Sequence, residues 1–80
     1  MDKGTYESLL NRARIARSVG VADGDYVMGY QRGLRRAHFG EHFDTDAEHE
    51  LWLDLAGDPM REQRGRGYRD GLAGLPVSFK

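Results

Sequence analysis

The chain has 80 residues, 39% of them hydrophobic, a net charge of −1 and no cysteine. A chain this short makes one domain, 1–80, and buries only about 60–65% of the surface its unfolded form exposes, so its stability is marginal. Disulfides are excluded, no apolar run nears the ~18 residues of a membrane span, and the opening MDKGTYESLL lacks a signal-peptide apolar region, so a cytoplasmic protein is expected.

Few β-branched residues and only two prolines, Pro59 and Pro76, favour helices, and Gly20, Gly40 and Gly57 mark where helical patterns stop. A first helix is predicted over 5–19, capped by Thr5, with Tyr6, Leu9, Leu10, Ala13 and Ala16 as its apolar stripe. A second is predicted over 25–37, capped by Asp23 or Asp25, with Val27, Tyr30, Leu34 and Ala37 on one face. A third is predicted over 46–56, opened by a capping box of Thr45 and Glu48, with Ala47, Leu51 and Leu55 as inner face and Trp52 beside it. The fourth begins at Asp58 as cap with Pro59 in the first helical position, and Val77 and Phe79 anchor an extended tail. The expected fold is all-α: about four short helices in two helical hairpins, followed by that tail.

Charge is segregated along the chain. Residues 1–40 carry a net +3, residues 41–58 a net −7 without one Lys or Arg, and residues 59–80 a net +3. The acidic segment holds Glu41, Asp44, Asp46, Glu48, Glu50, Asp54 and Asp58. Two arginine clusters flank it: Arg32, Arg35 and Arg36, then Arg61, Arg64, Arg66 and Arg69. Arginine at this density binds phosphates or pairs with the acidic helix of the same molecule. A pI near 6.3 is a poor footprint for free nucleic acid.

One hexapeptide occurs twice. Gly29-Tyr30-x-x-Gly33-Leu34 returns 38 residues later as Gly67-Tyr68-x-x-Gly71-Leu72. On a helix, glycines four apart share a face, and each costs about 1 kcal/mol relative to alanine. Two such pairs in a marginal domain call for close approach by something. Either the second and fourth helices cross through these grooves, or one groove is open to a partner's aromatic ring or a phosphate backbone.

The second copy lies in RGYRDGLAG, which resembles the RGYxxGIAG stretch of the ribosome modulation factor family, short helical bacterial proteins that bind ribosomes and promote their inactive dimers. Arg66, Gly67, Tyr68, Gly71, Leu72, Ala73 and Gly74 carry the resemblance, with Leu in place of Ile, and GYQRGL matches its first half. The match spans residues 66–74, near the C-terminal end of the chain. It implies a ribosome- or RNA-binding regulator.

No constellation in the sequence supports catalysis. His38 and His42 are four apart, but Gly40 stands between them, so no metal site is expected. FDTDAEHE has alternating carboxylates, yet His49 and Leu55 occupy the glycine and glutamate positions of a calcium loop. No phosphate-binding glycine loop occurs, and no cofactor is expected. What remains is binding. Glu41, Asp44, Asp46, Glu50 and Asp54 suit a basic groove that normally holds nucleic acid, with Trp52 as anchor or as core. Size and charge layout together suggest a phage- or mobile-element-type inhibitor of a nucleic-acid-handling protein complex, similar in type to anti-CRISPR proteins. The alternative is the RNA-binding regulator, which would use Arg32, Arg35, Arg36, Arg64, Arg66 and Arg69.

Overall fold

In the computed structural model, which describes residues 1–40 and 45–78, four α-helices follow one another. They are α1 (Lys3–Ser18), α2 (Gly24–Phe39), α3 (Asp46–Asp54) and α4 (Glu62–Leu72), with a 3-10 turn at Leu55–Gly57 and no strand among the described residues. This is the small all-α bundle expected. Glu41, His42, Asp44 and Phe79 lie outside the described residues.

Capping side chains set the starts. Asp2, not Thr5, caps α1: its Oδ1 accepts from the Thr5 amide at 2.7 Å, which starts the helix two residues early. That bond favours the ionised carboxylate and holds Asp2 below its usual pKa. Asp23 caps α2, accepting from the Asp25 and Tyr26 amides at 2.9 and 3.2 Å. Thr45 caps α3 through the Glu48 amide at 3.1 Å, but the Glu48 carboxylate turns to Arg32 instead of closing a capping box. The fourth helix begins three residues after Pro59. Asp58-Pro59-Met60-Arg61 forms a turn closed by the Arg61 amide on the Asp58 carbonyl, 3.0 Å, with proline in the position a turn also favours. At the other end of α1, Gly20 takes φ 80°, and the Gly20 and Val21 amides donate back to Arg17 and Ala16, a Schellman stop.

The core is built on α2. Leu9, Leu10, Ala13 and Ala16 of α1 pack with Ala22, Tyr26, Val27, Tyr30 and Leu34. The largest contact in the molecule joins α2 to α4. A β-carbon added at Gly29 would stand 1.9 Å from the Arg64 carbonyl oxygen, and one at Gly33 would stand 2.2 Å from that of Tyr68. Reciprocally, Gly67 meets the Tyr26 carbonyl at 1.9 Å and Gly71 that of Tyr30 at 2.2 Å. The four contacts obey one rule: each residue on α2 has its counterpart 38 positions later on α4. The helices therefore cross in the same direction about an approximate twofold axis. At each glycine, the hydrogen that replaces the β-carbon points at a carbonyl oxygen, the arrangement of Cα–H···O contacts between closely packed helices.

The same shift relates the flanking elements. It carries residue 24, where α2 begins, onto 62, where α4 begins, and carries most of α1 onto α3 and its 3-10 turn. Each half is thus a helical hairpin, and the hairpins join through their second helices, with α1 against α2 and α3 against α4. The tyrosines of the repeat occupy equivalent, fully buried positions but find different partners. Tyr30 Oη donates to the Leu75 carbonyl of the tail at 2.6 Å, while Tyr68 Oη lies 2.6 Å from His49 Nδ1 on α3. The molecule is flat, with extents of 33 × 33 × 15 Å. No helix among the described residues is long and apolar enough to cross a membrane.

Candidate interaction surface

The facing of α3 differs from the sequence expectation. Ala47 and Leu51, expected inside, are exposed, and His49 and Trp52 turn inward instead. The Trp52 ring lies 5.8 Å from the Tyr68 ring, and the Arg32 guanidinium stands over the Trp52 ring, 4.8 Å from its centre. Gly65 explains the rotation. A β-carbon there would lie 2.0 Å from the Ala56 amide nitrogen, so the 3-10 turn that follows α3 rests directly on the α4 backbone. Arg69 then reaches back and donates to the Leu53 carbonyl from Nε and Nη2, at 3.2 and 2.8 Å. It satisfies one of the carbonyls that a helix end leaves open. Pinned in this way, α3 buries no residue completely.

The acidic segment is partly neutralised inside the molecule. Asp46 pairs with Arg36 at 3.1 Å and Glu48 with Arg32 at 3.2 Å, and Asp58 pairs with Arg61 at 3.7 Å. Glu50 and Asp54 are exposed and make no ion pair among the described residues. Together with Ala47 and Leu51 they form one outward stripe at i, i+3, i+4, i+7 spacing, with Leu51 61% exposed. Of the expected partner-binding residues, the structure therefore gathers Glu50 and Asp54, commits Asp46 to a pair, and places Trp52 in the packing between α3 and α4. Ala47 and Leu51 are the residues that sequence reasoning placed on the wrong side.

The arginines expected to meet phosphates are largely engaged. Arg32 and Arg36 hold α3, Arg64 pairs with Asp25 at 3.3 Å, Arg66 with Glu62 at 3.6 Å, and Arg69 caps α3. Arg35 is half-buried. Unengaged arginines lie on α1: Arg12, Arg14 and Arg17 are exposed and make no ion pair among the described residues. Their signal in the sequence was the absence of any acid between Glu7 and Asp23.

Asp23, Tyr26, Gln63, Arg66, Arg69, Asp70 and Ser78 line a polar cleft. Tyr26 Oη donates to Asp70 Oδ2 at 2.5 Å and accepts from the Ser78 amide at 3.0 Å. Burial, then the bond to Asp70, raises the Tyr26 pKa. The phenol and carboxylate thus hold each other and tie the tail to α2, which is a structural task. His38 stacks on Tyr6, with ring centres 4.4 Å apart, and no cluster of three metal-ligating side chains exists among the described residues. Comparison of the chain with protein-family models, with curated proteins and with solved structures finds no match.

Proposed function

We propose that this chain is a small binding protein that inhibits a nucleic-acid-handling protein complex, of the type represented by anti-CRISPR proteins, with the outward stripe of α3 as its contact. The observation that carries this reading is Leu51, 61% exposed beside two carboxylates, Glu50 and Asp54, that pair with no cation among the described residues. An apolar side chain beside unpaired charge suits a protein groove that is basic at its rim and offers a small apolar floor. The reading narrows the acidic segment to one stripe, because Asp46 and Glu48 are already answered by Arg36 and Arg32. RNA binding through the arginine clusters draws less support, since Arg64, Arg66 and Arg69 already have partners.

The test is capture from nuclease-treated host lysate on the immobilised chain, compared with Glu50→Lys/Asp54→Lys and with Leu51→Ser. Both variants are expected to keep the helical circular-dichroism signal and to lose at least about tenfold in affinity for the captured complex, through lost attraction and new like-charge contacts. The nucleic-acid ligand of that complex should compete with the wild-type chain. Undiminished capture and inhibition by both folded variants would reject the stripe as the contact.

A further inference from the structure

The two outer helices hold equivalent places in the fold and carry opposite free charge. The 38-residue shift that relates the halves places Arg12 on Glu50 and Ile15 on Leu53. On the α1 edge, Arg12, Arg14 and Arg17 are exposed without ion pairs; on the α3 edge, Glu50 and Asp54 are exposed without ion pairs. An approximate twofold rotation turns these edges away from each other, so the flat molecule is basic at one edge and acidic at the opposite one.

Each edge also offers apolar surface of complementary form. At the α1 edge, Ile15, Val19 and Val21 are 54%, 65% and 42% exposed. With Arg12, Ala16, Pro76 and Val77 they line a groove of about 360 Å³ between the helix end and the tail, and Arg12 is its only charged wall among the described residues. At the α3 edge, Leu51 projects from its helix beside the two carboxylates. A concave apolar groove with a cationic wall thus faces one way, and a convex leucine with anionic neighbours faces the other.

We propose that the occupant of the α1 groove is the α3 stripe of a second copy of this chain, with Leu51 on the Ile15–Val19–Val21 floor and Glu50 or Asp54 against Arg12. Groove and stripe are different surfaces, so the contact is head-to-tail. It leaves a free groove at one end and a free stripe at the other, and association continues beyond the dimer unless the rotation closes a ring. The contact draws on the same stripe as the proposed function, so assembly would mask it and a target would have to compete with neighbouring copies.

The experiment is sedimentation equilibrium of the purified chain alone at low and high salt. Wild type is expected to show an average mass that rises with concentration past the dimer, and an association constant that falls roughly tenfold as salt screens the charged contacts. Glu50→Lys/Asp54→Lys and Arg12→Glu should each remain monomeric with an unchanged helical signal. Mixed together, the two variants should associate again, because the new lysines of one now face the new glutamate of the other. A wild-type chain that stays monomeric at low salt, variants that associate like wild type, or a mixture that stays monomeric would each overturn the inference. A monomeric wild type would leave the lysate capture untouched. A double-lysine variant that is monomeric yet, like Leu51→Ser, captures and inhibits the target undiminished would reject the stripe as the target contact and leave the self-contact standing.

Discussion

Gly29 and Gly67 show how far a single hydrogen can decide a fold. Each stands where a methyl group would lie 1.9 Å from a carbonyl oxygen of the facing backbone. Neither backbone can yield without disturbing its own helix. Gly29→Ala and Gly67→Ala are each expected to destabilise the protein by at least about 1–3 kcal/mol through overpacking, against a helix-propensity gain of about 1 kcal/mol. Gly4→Ala is the control, since its nearest new contact is Asp2 Oδ1 at 3.7 Å. It should be neutral or slightly stabilising in urea melts, and equal behaviour of all three variants would contradict the interlocked crossing. Tyr30 gives a second test at this scale. Burial pushes its pKa up from 10.0 to about 12. The folded state keeps the proton that the unfolded state releases above about pH 10, so stability is intact below that value and falls as the pH rises through 12. Urea midpoints measured between pH 9 and 11.5 should decline from about pH 10. Tyr30→Phe, less stable at neutral pH for want of the Leu75 bond, should show a flatter decline.

At the scale of elements, α3 is the most informative because its placement ran against its pattern. Trp52→Ala removes a half-buried ring held between Tyr68 and Arg32. It should cost about 1–3 kcal/mol, less than the ~3–5 kcal/mol of a fully buried aromatic. Leu51→Ser on the outward stripe should change stability by no more than about 0.5 kcal/mol. The opposite order in thermal melts would restore the facing read from the sequence. The reason for that misreading is physical. Apolar residues fall at 47, 51, 52, 53, 55 and 56, nearly all round so short a helix, and periodicity alone selects no face. The choice is made by contacts far along the chain: Gly65 admitting the backbone at Ala56, Tyr68 meeting His49, and Arg69 capping Leu53. By contrast, the groove between α2 and α4 was legible because glycines four apart, repeated with the same neighbours, carry their own spacing. The start of α4 was ambiguous because proline after aspartate serves a helix start and a turn equally well. Of the interaction surface, the sequence displayed the acids but not which of them Arg32 and Arg36 neutralise, since that pairing depends on how α3 is laid over α2.

For the whole molecule, the repeated glycine groove makes the two halves depend on each other. The carbonyls that face Gly29 and Gly33 belong to Arg64 and Tyr68, and those that face Gly67 and Gly71 belong to Tyr26 and Tyr30. The tail closes the arrangement by accepting the Tyr30 hydroxyl at Leu75. Unfolding should therefore be a single transition, coincident by circular dichroism and tyrosine fluorescence. A chain truncated after Asp58 should lose most of its helical signal when dilute, and full retention of α1 and α2 in that fragment would show that the first hairpin stands without the second. During synthesis this mutual dependence becomes a matter of timing. The groove of α2 is synthesised 38 residues ahead of its counterpart on α4, a lag of roughly 2–8 s at ~5–20 residues per second. For that interval a surface shaped for another glycine-bearing helix stands uncovered. Neighbouring nascent chains on one message present the same surface, because α2 and α4 share the recognition pattern. Slow elongation would lengthen this exposure, so the yield of correctly folded protein becomes a function of translation rate as well as of stability.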